Sequence, residues 1–101
     1  MFEFVMALNV TNDTGYQAYR DGMTPILTEM GGCFRYDFRI GETLKNASDH
    51  PINRVFAISF PDEQTSQKFF ADPGYLEVRA RHFDASVAGV TKLGENQSNP
   101  S

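Results

Sequence analysis

The chain has 101 residues, 41% of them apolar, with nine phenylalanines, no tryptophan and a formal net charge of −4. This length suits one domain with one core, and the scattered Lys and Arg on an acidic background argue against a nucleic-acid or anionic-membrane surface. The one cysteine, Cys33, excludes an internal disulfide, and no apolar run approaches the ~18 residues of a membrane helix.

Phe2, Phe4, Met6, Leu8 and Val10 alternate with Glu3, Val5, Ala7 and Asn9, which predicts a strand. The second face is only partly polar, so it is expected to be covered. Asn12-Asp13-Thr14-Gly15 reads as a turn, with Asp13 as the N-cap of the next helix. Tyr16, Tyr19, Met23, Ile26, Leu27 and Met30 then recur at spacings of three and four, an amphipathic helix interrupted by Gly22 and kinked at Pro25. Gly31-Gly32 supplies its left-handed stop.

Cys33 to Ile40 alternates again, with Phe34, Tyr36, Phe38 and Ile40 predicted on an apolar face. Cys33, Arg35, Asp37 and Arg39 would share the polar one. Gly41 to Asn53 is a polar loop, long for a hairpin connection.

The stretch from Arg54 to Tyr75 organises the rest. Arg54 to Phe60 has the composition of a buried strand, and Pro61 ends it. Asp62 caps a helix docked by Phe69 and Phe70, and Asp72-Pro73 restarts a helix that runs to about Asp84. Ser86 to Leu93 is a last strand. Residues 1–94 are thus expected to form the domain, and 95–101 a disordered polar tail.

The order βαββαβ predicts a ferredoxin-like α+β fold: a four-stranded antiparallel sheet with the helices on one face. The bare face, with Val5, Ala7, Val55, Ala57, Ala88 and Val90 or their alternates, suits a second copy of the chain, so a homodimer is expected.

These features also carry a resemblance. Asp13, Tyr16 and Tyr19, then Gly31-Gly32 with Phe34, Arg54 with Phe60-Pro61, and Phe69 with Pro73-x-Tyr75 resemble the family known as domain of unknown function 1330, in the dimeric α/β-barrel superfamily. The resemblance covers Phe2 to Leu93. It implies a homodimer with facing sheets and a cavity in each half. The superfamily includes cofactor-free monooxygenases, muconolactone-isomerase-like enzymes and haem-binding enzymes. Where members carry a basic residue late in the second helix, this chain has His82.

The candidate ligand-binding residues are Arg54, Tyr19, Arg35, Asp37, Arg39 and His82. His82 either complements a helix C-terminus or acts as a base or haem ligand. Arg35, Asp37 and Arg39 either solvate an edge strand or line a cavity mouth, where Arg would pair a carboxylate. Arg54 divides the same way, and Tyr19 either packs the core or offers its phenol to a ligand. Cys33 is expected to be a small buried hydrophobe. Two histidines without a spaced carboxylate set make no metal site, and no cofactor is expected. With no basic and apolar leader in the opening residues, a cytoplasmic protein is expected. Two functions fit: binding a small organic metabolite, with or without transforming it, in an apolar cavity, or a non-catalytic homodimeric assembly or regulatory module.

Overall fold

The computed structural model describes residues 1–98. Four strands, β1 (Phe2–Val10), β2 (Cys33–Arg39), β3 (Arg54–Phe60) and β4 (Val87–Gln97), form one antiparallel sheet in the order β2-β3-β1-β4. Helices α1 (Asp13–Glu29), α2 (Glu63–Ala71) and α3 (Pro73–Val78) complete the ferredoxin-like α+β fold. A π-helical turn, Arg79–Phe83, continues α3.

Local chemistry explains each boundary. Asn12, not the expected Asp13, caps α1: its side chain accepts from the Gly15 N–H, while Asp13 is the first helical residue. Asx side chains serve equally as caps, so position decides, and the chain turns one residue earlier. Helix α1 runs through Gly22 and Pro25 without ending. Gly22 lets α3 approach, since a Cβ there would lie 2.8 Å from a Val78 methyl. Gly31 takes φ +82°, and the Gly32 and Gly31 N–H groups donate to Leu27 and Thr28, closing a Schellman stop. Asp62 and Asp72 cap α2 and α3 through the Thr65 and Tyr75 N–H groups.

The core lies between sheet and helices. Leu8, Ile58 and Phe60 face Tyr16, Met23, Leu27, Phe69 and Tyr75, all buried. Burying one such aromatic side chain contributes roughly 2–3 kcal/mol. The rings of Phe69 and Tyr75 lie 4.5 Å apart, centroid to centroid, and lock α2 against α3.

Three expectations are corrected. Strand β4 does not stop at the expected Leu93: Gly94, Glu95, Asn96 and Gln97 pair with Val5, Phe4, Glu3 and Phe2. Main-chain ladders need no apolar side chains, and the start of β1 offered unpaired donors and acceptors. The remainder of the expected tail, 99–101, lies outside the described residues.

The second correction concerns β2. Phe34 pairs with Ile58 but Tyr36 pairs with Ala57, so Arg35 is the extra residue of a bulge. A one-residue insertion exchanges the faces of everything beyond it. Asp37 therefore joins Phe34 on the helix side, while Tyr36 and Phe38 stand on the open face, stacked and 53% and 51% exposed. Third, Cys33 is exposed rather than buried.

The open face is partly covered by the chain's own loop, residues 41–53. Asn53 bonds Val10 in both directions, and His50 Nε2 lies 2.7 Å from Thr91 Oγ1 on β4. Gly89 makes room for it, since a Cβ there would lie 2.3 Å from the His50 ring.

Candidate functional site

A cleft opens between the sheet and the helices. Phe4, Met6, Phe56 and Ile58 form its floor, and Tyr19, Met23, Phe70 and Tyr75 form its wall. Its volume is about 190 Å³. An apolar cavity of about 150 Å³ can hold one benzene ring, so the chamber suits a small organic molecule. Val90 and Lys92 of β4 are its exposed members and mark the mouth, and half-buried Arg79 of the π turn also lines it. Of the open-face residues offered with their alternates, Val90 faces the cleft instead, because β4 carries its own irregularity between the pairings of Asn9 and Val10.

Polarity in the cleft is sparse. Tyr19 and Tyr75 hold their hydroxyls 2.9 Å apart. One donates to the other, so the accepting phenol keeps its own proton for a ligand. Burial raises the Tyr19 pKa far above the ordinary phenol value, helped by the neighbouring Tyr75. Tyr19 therefore stays neutral at physiological pH, a donor and not a base. The lining contains no carboxylate, imidazole or thiol. It can enclose, orient and attract a ligand.

A second cluster lies beside the cleft. Arg20 donates to Tyr16 Oη at 2.9 Å and to Asp37 Oδ2 at 2.8 Å, with its guanidinium 3.6 Å from the Phe34 ring centroid. Arg54 grips the same carboxylate through Nε and Nη2, each at 2.9 Å. Burial pushes the Asp37 pKa up, but the hydrogen bonds and charge of Arg54 and Arg20 outweigh it and hold it below the usual range. Burial likewise raises Tyr16, partly opposed by Arg20.

The six sequence candidates thus separate. Tyr19 lines the cleft. Arg54 is spent on Asp37, and Asp37 on both Arg54 and Arg20. Arg35, extruded by the bulge, reaches Glu3 at 3.2 Å, and Glu3 also accepts from Ser59. Arg39 lines a surface hollow with Asp13 and Arg54. His82 sits on the π turn but does not line the cleft. No group of three metal-ligating side chains occurs among the described residues, and no helix among them is long and apolar enough to cross a membrane.

Arg20, Lys92 and Arg79 stand outside the candidates that the sequence singled out. Arg20 had a signal: it follows Tyr16 by four and precedes Met23 by three, a charge inside the apolar stripe. Lys92 had none beyond alternation in a strand.

The family model described as domain of unknown function (DUF1330) matches residues 4–93. The chain belongs to the DUF1330 family. No curated protein matches this DUF1330 chain. Among solved structures it is similar to a protein of unknown function from Rhodopseudomonas palustris, with TM-score 0.82, 16% identity, and coverage of 99% of this chain and 83% of that one. It is also similar to a dabb family protein with a ferredoxin-like fold from Mesorhizobium loti, with TM-score 0.66, 10% identity, and coverage of 98% and 97%. A third is SnoaB, a cofactor-independent oxygenase from Streptomyces nogalater, with TM-score 0.57, 13% identity, and coverage of 99% and 92%. At these identities the likeness is one of fold.

Proposed function

We propose that this DUF1330 protein binds a small organic molecule in the cleft between sheet and helices, as one of two identical chains joined through their open sheet faces. The cleft carries the proposal. It is an apolar chamber with two converging phenols, which is the usual make-up of a small-molecule site. The lining supports binding and orientation; any transformation would draw its proton chemistry from the ligand itself. The dimer is supported by Tyr36 and Phe38, large and exposed on a face that the loop over β4 leaves uncovered. The same patch on a second copy would cover it about a twofold axis.

The chain's four methionines provide the test. Met6 and Met23 line the cleft, whereas Met1 and Met30 do not. With ¹³C-methyl-labelled methionine, titration with benzyl alcohol and phenylacetate should shift the Met6 and Met23 methyl signals and leave the others. Native mass spectrometry should show twice the chain mass, reverting to one chain in Phe38→Lys. A dimer whose Met6 and Met23 signals ignore every probe would instead be the assembly module, with no ligand site.

A further inference from the structure

We propose that the cleft selects an apolar monocarboxylate, and that Arg79 and Lys92 receive its anionic head at the mouth. The inference rests on reading the cleft as the ligand site. It begins from charge. The charged residues of the lining are both cations. Arg79 has no acidic partner among the described residues; its guanidinium carbon lies 4.8 Å from the Phe83 ring centroid, against the cleft wall. Lys92 lies 5.3 Å from the centroid of Phe4, which floors the cleft, and is shared with Glu95 at 2.9 Å. A cation held on aromatic rings is partly desolvated and attracts an anion more strongly than one in water.

The count of charges sets the class. Glu95 offsets one cation, so the mouth keeps one net positive charge. That suits a single carboxylate. A dianion would push its second charge toward Phe4, Phe56 and Phe70, where nothing solvates it. The size and apolar floor call for a body of about one aromatic ring. The spare phenol proton of the Tyr19–Tyr75 pair would meet a polar substituent at the inner end.

The backbone supports the assignment independently. Arg79 and Phe83 are the ends of the π turn, the wider helical form found mostly as single turns and often at functional sites. Here it brings Arg79 and Phe83 together into the cleft lining.

The experiment follows the Met6 and Met23 methyl signals during titrations with phenylacetate, phenylacetamide and phenethylamine. Phenylacetate should bind about tenfold tighter than the amide, and the amine weakest. Arg79→Gln and Lys92→Gln should each weaken phenylacetate while leaving the amide unchanged. Arg79→Lys, which keeps the charge, should retain the preference even if Arg79→Gln is poorly folded. Glu95→Gln should tighten phenylacetate by freeing Lys92. Equal binding of phenylacetate and phenylacetamide, with Met6 and Met23 still responding, would overturn the selectivity and leave the cleft as a ligand site. Silence of both methyls toward all three probes would overturn both.

Discussion

Tyr19 of α1 and Tyr75 of α3 meet hydroxyl to hydroxyl, 2.9 Å apart, at the inner wall of the cleft. Both are buried, so each phenol has few partners besides the other. Tyr19→Phe should cost about 1 kcal/mol, because it leaves the Tyr75 hydroxyl short of a bond in a dry site. Tyr19→Phe/Tyr75→Phe should cost less than the sum of the single changes. Urea unfolding of the four proteins measures the coupling, and strict additivity would show that the two hydroxyls do not depend on each other.

Asp37 gives an acid-limb prediction. Its carboxyl is held below the usual range in the folded protein, burial being outweighed by Arg54 and Arg20. The unfolded chain therefore binds this proton more readily. The stabilisation is fully present above the unfolded value of about 4 and is lost as pH falls through the folded one. Asp37→Asn should lower stability at neutral pH by about 2 kcal/mol, since Arg20 keeps its buried charge without a counter-ion. The mutant should also lose less on acidification than the parent. Urea melts at neutral pH and well below pH 4 decide this, and a parallel loss in both proteins would clear Asp37 of the role.

Gly22 tests the seat of α3. A Cβ would stand 2.8 Å from a Val78 methyl, on a stiff branched side chain. Gly22→Ala would gain up to about 1 kcal/mol of helix propensity on an exposed helix. The clash should outweigh it, giving net destabilisation of about 1 kcal/mol. Gly22→Ala/Val78→Ala should recover much of that against Val78→Ala alone. Thermal melts of the three variants check it.

Gly89 tests the loop on the open face. Gly89→Ala would drive its methyl into the His50 ring. Gly89 lies on the edge strand opposite Asn9 and its Cβ would meet only the loop, so global stability should change by no more than about 0.5 kcal/mol. The loop, however, should lift. Limited trypsin digestion at Lys45, in the middle of the loop, should accelerate. An unchanged cleavage rate would show that His50 does not hold the loop down.

Arg20 and Arg35 show how far local reading carries. The stripe from Tyr16 to Met30 predicted α1, and that stripe contained the position of Arg20. Whether a charge at such a position meets solvent or a partner depends on the strand packed beneath it. That strand is β2, whose bulge at Arg35 brings Asp37 to the helix side. Without the bulge, Asp37 would have stayed on the open face with Arg35, where alternation had assigned it.

The sequence by itself determined the order of elements, the caps at Asp62 and Asp72, the glycine stop at Gly31-Gly32 and the ferredoxin-like class. All of these are written in local spacing, and near-neighbour sterics and hydrogen bonds enforce them. Only the tertiary structure decided the cleft, the Tyr19–Tyr75 contact, the Arg20–Asp37–Arg54 cluster and the placing of Arg79 and Lys92 in one lining. Those depend on sheet register, on a bulge and on a widened helical turn, where one residue of offset moves a side chain from one environment to another. Pairing across the sheet is set by the sum of many contacts, and no stretch of the chain contains that sum.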